Sequence, residues 1–334
     1  MLNKQIWDQL ENTSSLSTGL VVLRLHPESK FNVFAAFDPV TKHRILLLKS
    51  NLLNVCPRQQ LPAGRGFEFR FVTKIKDSDG ANCLQFELIE TSYADVFDAI
   101  GNDVIKYVLQ SHNDKEAFNS FVLRIVEWQH FLDHLPEEGL SDSAQQGLFG
   151  ELWFLREVLL REMTPEQAIS SWAGPKALAK DFQFSGIAFE VKVTSSKQHS
   201  CFTISSEQQL DASSVGRLIL FCLLLERLTD GGISLPELVS SIRENLQSNP
   251  IAAIHFSELL LQSGYIDIDA SKYITQFAVR SQHFFDVRDD FPRIIENDLR
   301  CGVGDVCYSI LFSECVHYTI NESDVRNIIR MIDV

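Results

Sequence analysis

The chain has 334 residues, 45% of them hydrophobic and 22% charged, and a net charge of −14. That suits two or three domains with a sizeable core, and it argues against non-specific coating of nucleic acid. The N-terminus MLNKQIWDQL lacks the apolar stretch of a signal peptide, and the apolar run Leu218–Leu225 is far short of the roughly 20 residues a membrane span needs. A cytoplasmic protein with no membrane partner is expected. Seven cysteines, without a CxxC pair or the His and Cys neighbours of a zinc site, read as reduced thiols (Cys56, Cys83, Cys201, Cys222, Cys301, Cys307, Cys315).

Residues 1–95 read as a β-rich domain. Gly19–Leu25, Phe31–Phe37 and Arg44–Lys49 are short apolar runs separated by the turn-rich HPES and DPVTKH. Phe67, Phe69 and Phe71 alternate with Glu68, Arg70 and Val72, and a DSDG turn at 77–80 leads into Cys83–Ile89. About five strands suit a small barrel or sandwich. This segment is nearly balanced in charge, 11 Lys/Arg against 10 Asp/Glu, and acid accumulates downstream. From Tyr93 to Leu135 the period turns helical, with a turn at 111–115, so 96–140 reads as a helical connector. The polar break PEEGLSDSAQQ (136–146) marks the main boundary.

Segment 141–230 begins with a helix over about 145–161, and a β-rich stretch follows at 181–206. A helix-like stretch (207–214) and an apolar strand (Arg217–Leu225) complete it. Segment 231–334 offers helices near 235–247 and 251–263, then strands near 272–287 and 306–320, as an extension that completes the core.

The run KDFQFSGIAFEVKVTSS carries the chemistry. Ser185-Gly186 allows Asp181–Phe184 and Ile187–Thr194 to pair as a hairpin. Side chains alternate along a strand, so Ile187, Phe189, Val191 and Val193 face a core while Ala188, Glu190, Lys192 and Thr194 face the other way. Asp181, at the hairpin entry, can approach Glu190. Two carboxylates that hold Mg²⁺, with a lysine beside them, are what phosphodiester hydrolysis requires. Spacing alone is weak evidence: 44 acidic residues and 13 lysines predict about two [DE]xK triplets by chance, and two occur. Glu28-Ser29-Lys30 lies in a turn, whereas Glu190-Val191-Lys192 has the strand context and an upstream acid. The bland alternative is a solvated polar strand face.

In QQGLFGELWFLREVLL (145–160), Leu148, Leu152, Leu155 and Leu159 form an apolar stripe that contains Glu151. A carboxylate on a buried face needs a cation, a metal or donors. Glu151 is therefore either a site residue or the partner of a buried Arg or Lys. Gly147 and Gly150 would let this helix approach a sheet closely.

Together GLFGELWFL, SWAGP, KDFQFSGIAFEVKVTSS and ISSEQQL resemble the bacterial PD-(D/E)XK motif proteins of the restriction-endonuclease-like superfamily. The resemblance covers most of the chain and is most specific at 145–211. It implies an α/β (α+β) fold with an αβββαβ core and Mg²⁺-dependent cleavage of DNA, with Mn²⁺ able to substitute. It assigns Glu151 to the first core helix, Asp181 to the D position, and Glu190 and Lys192 to ExK. Asp181 and Glu190 are the expected metal ligands, and all four residues are expected to be catalytic. Lys180 stands where the motif has proline, which the resemblance implies is dispensable. Such proteins resemble components of restriction and anti-phage clusters. DNA and other subunits of such a system are the expected partners, with homodimer formation left open. The rival expectation is a weakly active or inactive nuclease-fold scaffold or DNA-sensing subunit.

Weaker signals remain open. Gln208 and Gln209 follow the third core strand, where related nucleases often place a site Gln, or they are polar helix-start residues. Ser195, Ser196, Lys197 and His199 could meet phosphate or form a solvated turn. Arg70, Lys74 and Lys76 could track a DNA backbone or be ordinary strand polarity. The sequence contains no nucleotide-binding or hydrolase-triad motif.

Overall fold

The computed structural model describes residues 1–14, 19–49, 66–72, 83–134, 138–176, 179–184, 186–195 and 201–332. They form a mixed α/β structure that divides into two compact units, 1–137 with 266–268, and 138–265 with 269–334. Among the described residues no helix is long and apolar enough to cross a membrane. Lys74, Lys76, the turn at 77–80, Ser185, Ser196, Lys197 and His199 lie outside the described residues.

In the first unit α1 (Lys4–Ser14) precedes five strands, β1 (Val21–Leu25), β2 (Asn32–Phe37), β3 (Arg44–Lys49), β4 (Phe67–Val72) and β5 (Cys83–Leu88). Among the described residues they form one antiparallel sheet in the order β1-β2-β3-β5-β4, in place of the expected barrel or sandwich. Helices supply its cover: α2 (Ala94–Gln110) and α3 (Asp114–His134). Phe97 of α2 meets Phe86 at 5.0 Å and Phe67 at 6.3 Å, and Trp7 of α1 meets Phe97 at 6.0 Å. Phe121 of α3 lies 5.9 Å from Phe69. The helices expected as a connector therefore belong to this unit, because Phe97, Ile100, Val104 and Val108 make an apolar face that must be buried.

The second unit opens with α4 (Asp142–Phe154), capped by Ser141, whose hydroxyl accepts from the Ala144 N–H at 3.2 Å. It runs on through a π-helical turn at Leu155–Leu159 into α5 (Leu160–Glu162), and α6 (Pro165–Ser171) follows. Next come β6 (Phe182–Gln183), β7 (Ile187–Thr194), β8 (Cys201–Ile204), β9 (Arg217–Leu228) and β10 (Ile233–Ser234). Then α7 (Leu235–Asn245) and α8 (Pro250–Gln262) begin at Ser234 and Asn249 caps, each with a proline in its first turn. The chain ends with β11 (Gln276–Asp286), β12 (Tyr308–Leu311), α9 (Phe312–Cys315), β13 (Thr319–Ile320) and α10 (Glu322–Met331).

The main sheet has the order β10-β11-β9-β7-β6, with β13 added to β11. β7 and β9 pair in parallel and the other ladders are antiparallel. Both faces are covered. Phe189, Val191, Ile219, Phe221 and Leu223 pack on the side of α4, α7 and α8, while Ala188, Leu218, Leu220 and Cys222 pack under β8 and β12. A strand buried on both faces reads as a continuous apolar run, which is why Leu218–Leu225 has no alternation. β8 leaves the main sheet to pair with β12. The helix-like stretch expected at 207–214 is a series of turns. Asp211 there accepts from the Ser213 N–H at 2.8 Å, a local bond that competes with helix formation.

Candidate active site

The site is assembled where α4 crosses β7. Helix and strand touch because Gly150 has no side chain: a Cβ there would lie 2.1 Å from Val193 Cγ2. Gly147, by contrast, has nothing within 4 Å and faces open space, so it plays no part in the close approach. Leu148, Leu152, Leu155 and Leu159 are all buried, and Glu151 is carried among them to the edge of the sheet.

β6 and β7 pair with Phe182 opposite Phe189 and Gln183 opposite Ala188. One step beyond this ladder, Asp181 stands against Glu190–Val191 in the middle of β7, and its Oδ2 accepts from the Val191 N–H at 2.7 Å. The other oxygen, Oδ1, shares the space beside Gly174 with Glu151. A Cβ on Gly174 would lie 2.8 Å from Glu151 Oε2 and 3.3 Å from Asp181 Oδ1. The two carboxylates thus converge from a helix and a strand entry that are 30 residues apart in sequence.

Asp181, Glu151 and Lys192 line an open cleft of about 500 Å³, together with Asp142, Gln146 and Gln209. Lys192 Nζ donates to Gln209 Oε1 at 2.8 Å, and the same oxygen accepts from the Ser205 N–H at 2.8 Å. Gln209 is therefore a site residue, whereas Gln208 is exposed and offers its backbone carbonyl to Lys180. Glu190 is 1% exposed and sits behind the cleft. Lys192 Nζ lies 2.8 Å from its Oε1 as an ion pair, and Glu190 Oε2 makes no hydrogen bond. The solvated polar face is thereby excluded for Glu190.

Burial and then the neighbouring Asp181 charge push the Glu190 carboxyl up to about 8, with the Lys192 ammonium opposing. Glu151 is raised well above the carboxylate range by burial and by Asp181, and the Trp172 indole works against that. Asp181 is raised by burial, against the Val191 N–H, Lys192 and Lys180. Lys180, itself buried, is lowered by the same loss of water. Three carboxyls that burial holds towards their neutral form, around one lysine, are groups that a bound divalent cation would bring to full ionisation.

The donor set fits a hard divalent ion. Glu190 has a buried Oε2 without a hydrogen bond, and the gap at Gly174 brings Glu151 and Asp181 oxygens to one space. Among the described residues no three His, Cys, Asp or Glu side chains cluster tightly enough to hold a metal as they stand. A Mg²⁺ ion held by one or two carboxylates and several waters does not demand three.

Two contacts escaped the sequence reading. The Trp172 indole N–H donates to Glu151 Oε2 at 2.7 Å, and Gly174 borders both carboxylates. SWAGP was notable as part of a resemblance, but no periodicity ties it to Glu151. Arg70 is exposed, and its guanidinium pairs with Glu87 at 2.7 Å and Glu68 at 2.8 Å. Ser195 is half-buried beyond the end of β7 and is not among the residues that line the cleft.

A strand-borne ExK pair, an upstream aspartate and a helix glutamate are thus gathered in one place on a mixed sheet. Over residues 3–313 the chain matches the model of the DUF4420 family, described as "Putative PD-(D/E)XK family member", and it belongs to that family. No match is found among the curated proteins or among the solved structures.

Proposed function

We propose that the protein is a divalent-metal-dependent endonuclease that hydrolyses DNA phosphodiester bonds. The observation that carries the reading is the convergence of Glu151 and Asp181 at the cleft, in front of a buried Glu190 whose Oε2 makes no hydrogen bond. Support for a restriction-endonuclease-like αβββαβ core comes from the order α4, β6, β7, β8, β9 and from the parallel β7–β9 pair. The departure of β8 into its own two-stranded sheet, and turns in place of the second core helix, are the differences from it.

Asp181, Glu190 and Glu151 are the residues that would hold Mg²⁺, with Mn²⁺ as a substitute. When bound, such an ion supplies Lewis-acid polarisation of the phosphoryl oxygen and a more acidic water. Lys192 presents its ammonium to the cleft, where it offsets the charge that develops on the phosphate in the transition state. Gln209 holds that ammonium from behind, so Lys192 is oriented before substrate arrives. The Val191 N–H fixes Asp181 Oδ2 and leaves Oδ1 towards the space shared with Glu151. The same reading makes DNA the partner, in the cytoplasm, beside other subunits of a restriction or anti-phage system.

A second reading is favoured by the seclusion of Glu190 and by the lack of a ready three-ligand cluster among the described residues. In that reading the chain is a nuclease-fold scaffold or DNA-sensing subunit with a weak site. Plasmid cleavage by the purified chain with Mg²⁺ or Mn²⁺ decides between them. Nicking or linearisation that EDTA and Asp181→Asn abolish supports the enzyme. DNA binding that Asp181→Asn leaves intact, with no cleavage under any divalent ion, supports the scaffold.

A further inference from the structure

The segment between α6 and β6 touches both carboxylates that face the cleft. Trp172 is fully buried, stacks on Phe256 of α8 at 6.0 Å, and directs its indole N–H to Glu151 Oε2 at 2.7 Å. The next two residues bind the backbone of the other acid: the Ala173 and Gly174 N–H groups donate to the Asp181 carbonyl at 2.7 and 3.1 Å. Trp172 also forms a bridge to Phe182, which anchors the segment on the start of β6. At Gly174 a side chain would press on Glu151 Oε2 at 2.8 Å and on Asp181 Oδ1 at 3.3 Å. One short stretch therefore holds Glu151 by its side chain, holds Asp181 by its backbone, and keeps the space between their oxygens clear.

We propose that Trp172–Gly174 is the positioning element of the metal site, with the Trp172 indole committing one oxygen of Glu151 and Gly174 keeping the Glu151–Asp181 gap open to a divalent cation. The inference rests on the metal-dependent reading above. The indole matters because a carboxylate on a helix can rotate, and a donor fixed in the core selects one orientation. Outer-shell donors of this kind typically tune metal affinity by about ten- to a hundredfold. Gly174 matters for a steric reason: its neighbours are carboxylate oxygens anchored by the indole and the strand, so they cannot yield freely.

The test is Mn²⁺ binding to the full chain by titration calorimetry, which does not depend on catalysis. Wild type should bind Mn²⁺, and Asp181→Asn should not. Trp172→Phe removes the donor and is expected to weaken binding roughly ten- to a hundredfold. Gly174→Ala removes no core packing and is expected to weaken it at least roughly tenfold, so it carries the test should Trp172→Phe fail to fold. Trp153→Phe is the control: Trp153 stacks on Phe149 and directs its indole N–H to Gln282, so that variant should lose packing but keep wild-type affinity. Wild-type affinity in both Trp172→Phe and Gly174→Ala would overturn the positioning role and leave the metal-dependent reading standing. Equal loss in Trp153→Phe and Trp172→Phe, with Gly174→Ala unchanged, would reduce Trp172 to packing and also overturn it. A wild type that binds no Mn²⁺ would sink the metal-dependent reading and this proposal with it.

Discussion

Each unit buries a glutamate on a strand, and the two are treated in opposite ways. Glu87 of the first unit is 4% exposed, and its carboxylate is fully engaged. Oε1 lies 2.8 Å from His43 Nδ1, and Oε2 accepts from Arg70 at 2.7 Å and from Gln85 at 2.8 Å. Glu190 of the second unit is more deeply buried at 1%, yet among the described residues only Lys192 meets it, at Oε1, and its Oε2 makes no hydrogen bond. A fold that satisfies a buried charge uses it as structure. One that leaves a buried carboxyl oxygen without a donor pays in stability, and such a cost persists where something else is to be bound. Burial alone does not separate the two residues; the census of donors does.

The largest expected effect sharpens this contrast. Glu190→Gln should lower Mg²⁺-dependent DNA cleavage by at least about a hundredfold, since it removes a ligand and the charge that holds Lys192. Glu87→Gln should leave cleavage within a few-fold of wild type, measured on the same plasmid. Comparable losses from both would erase the distinction. Next is Glu151→Gln, read by melting curves with and without Mn²⁺. Among the described residues Glu151 has no ion pair, and its recorded donor is an indole that an amide oxygen can also accept from. The metal-free melting temperature should hold or rise, while the stabilisation that Mn²⁺ brings to wild type, about 2.7 kcal/mol at a hundred times Kd, should disappear. A large metal-independent loss would return Glu151 to a structural role.

Smaller effects lie in the first unit. Glu87→Ala should cost roughly 1–3 kcal/mol in denaturant unfolding, whether or not metal is present, because His43, Arg70 and Gln85 lose their shared acceptor. A neutral result would mean that the network is decoration. The smallest effect is on pH. Burial lifts the Asp98 carboxyl to about 7 from its ordinary 3.8, despite the Trp7 indole N–H that donates to Oδ1 at 2.7 Å. Between those two values the unfolded chain is ionised and the folded one is not, so stability falls as pH rises and levels off above 7. The fall should run across that window and be absent in Asp98→Asn. A wild-type stability that tracks Asp98→Asn from pH 5 to 8 would rule the effect out.

Much of the second unit could be read from local chemistry. The starts of α7 and α8 follow from Ser234 and Asn249 standing before prolines, and the β6–β7 hairpin follows from apolar alternation around Ser185-Gly186. The helices α1 and α10 escaped notice because each buries a narrow stripe, Trp7 and Leu10 in one and Val325 and Ile329 in the other. The turns at 207–214 were misread because Asp211 and Ser213 bond locally, and periodicity cannot register that.

At the site, the sequence by itself put Glu190 and Lys192 on one face of a strand, set Asp181 at its hairpin, and marked Glu151 as a charge inside an apolar stripe. Those are consequences of period and spacing along one chain. Tertiary structure alone decided that Glu190 is sealed behind the cleft, that Gln209 rather than Gln208 holds Lys192, and that Trp172 and Gly174 frame Glu151 and Asp181. The physical reason is that these are contacts across elements, fixed by how closely α4 approaches β7 at Gly150 and by where β8 leaves the sheet. Neither distance is written in any single segment's pattern.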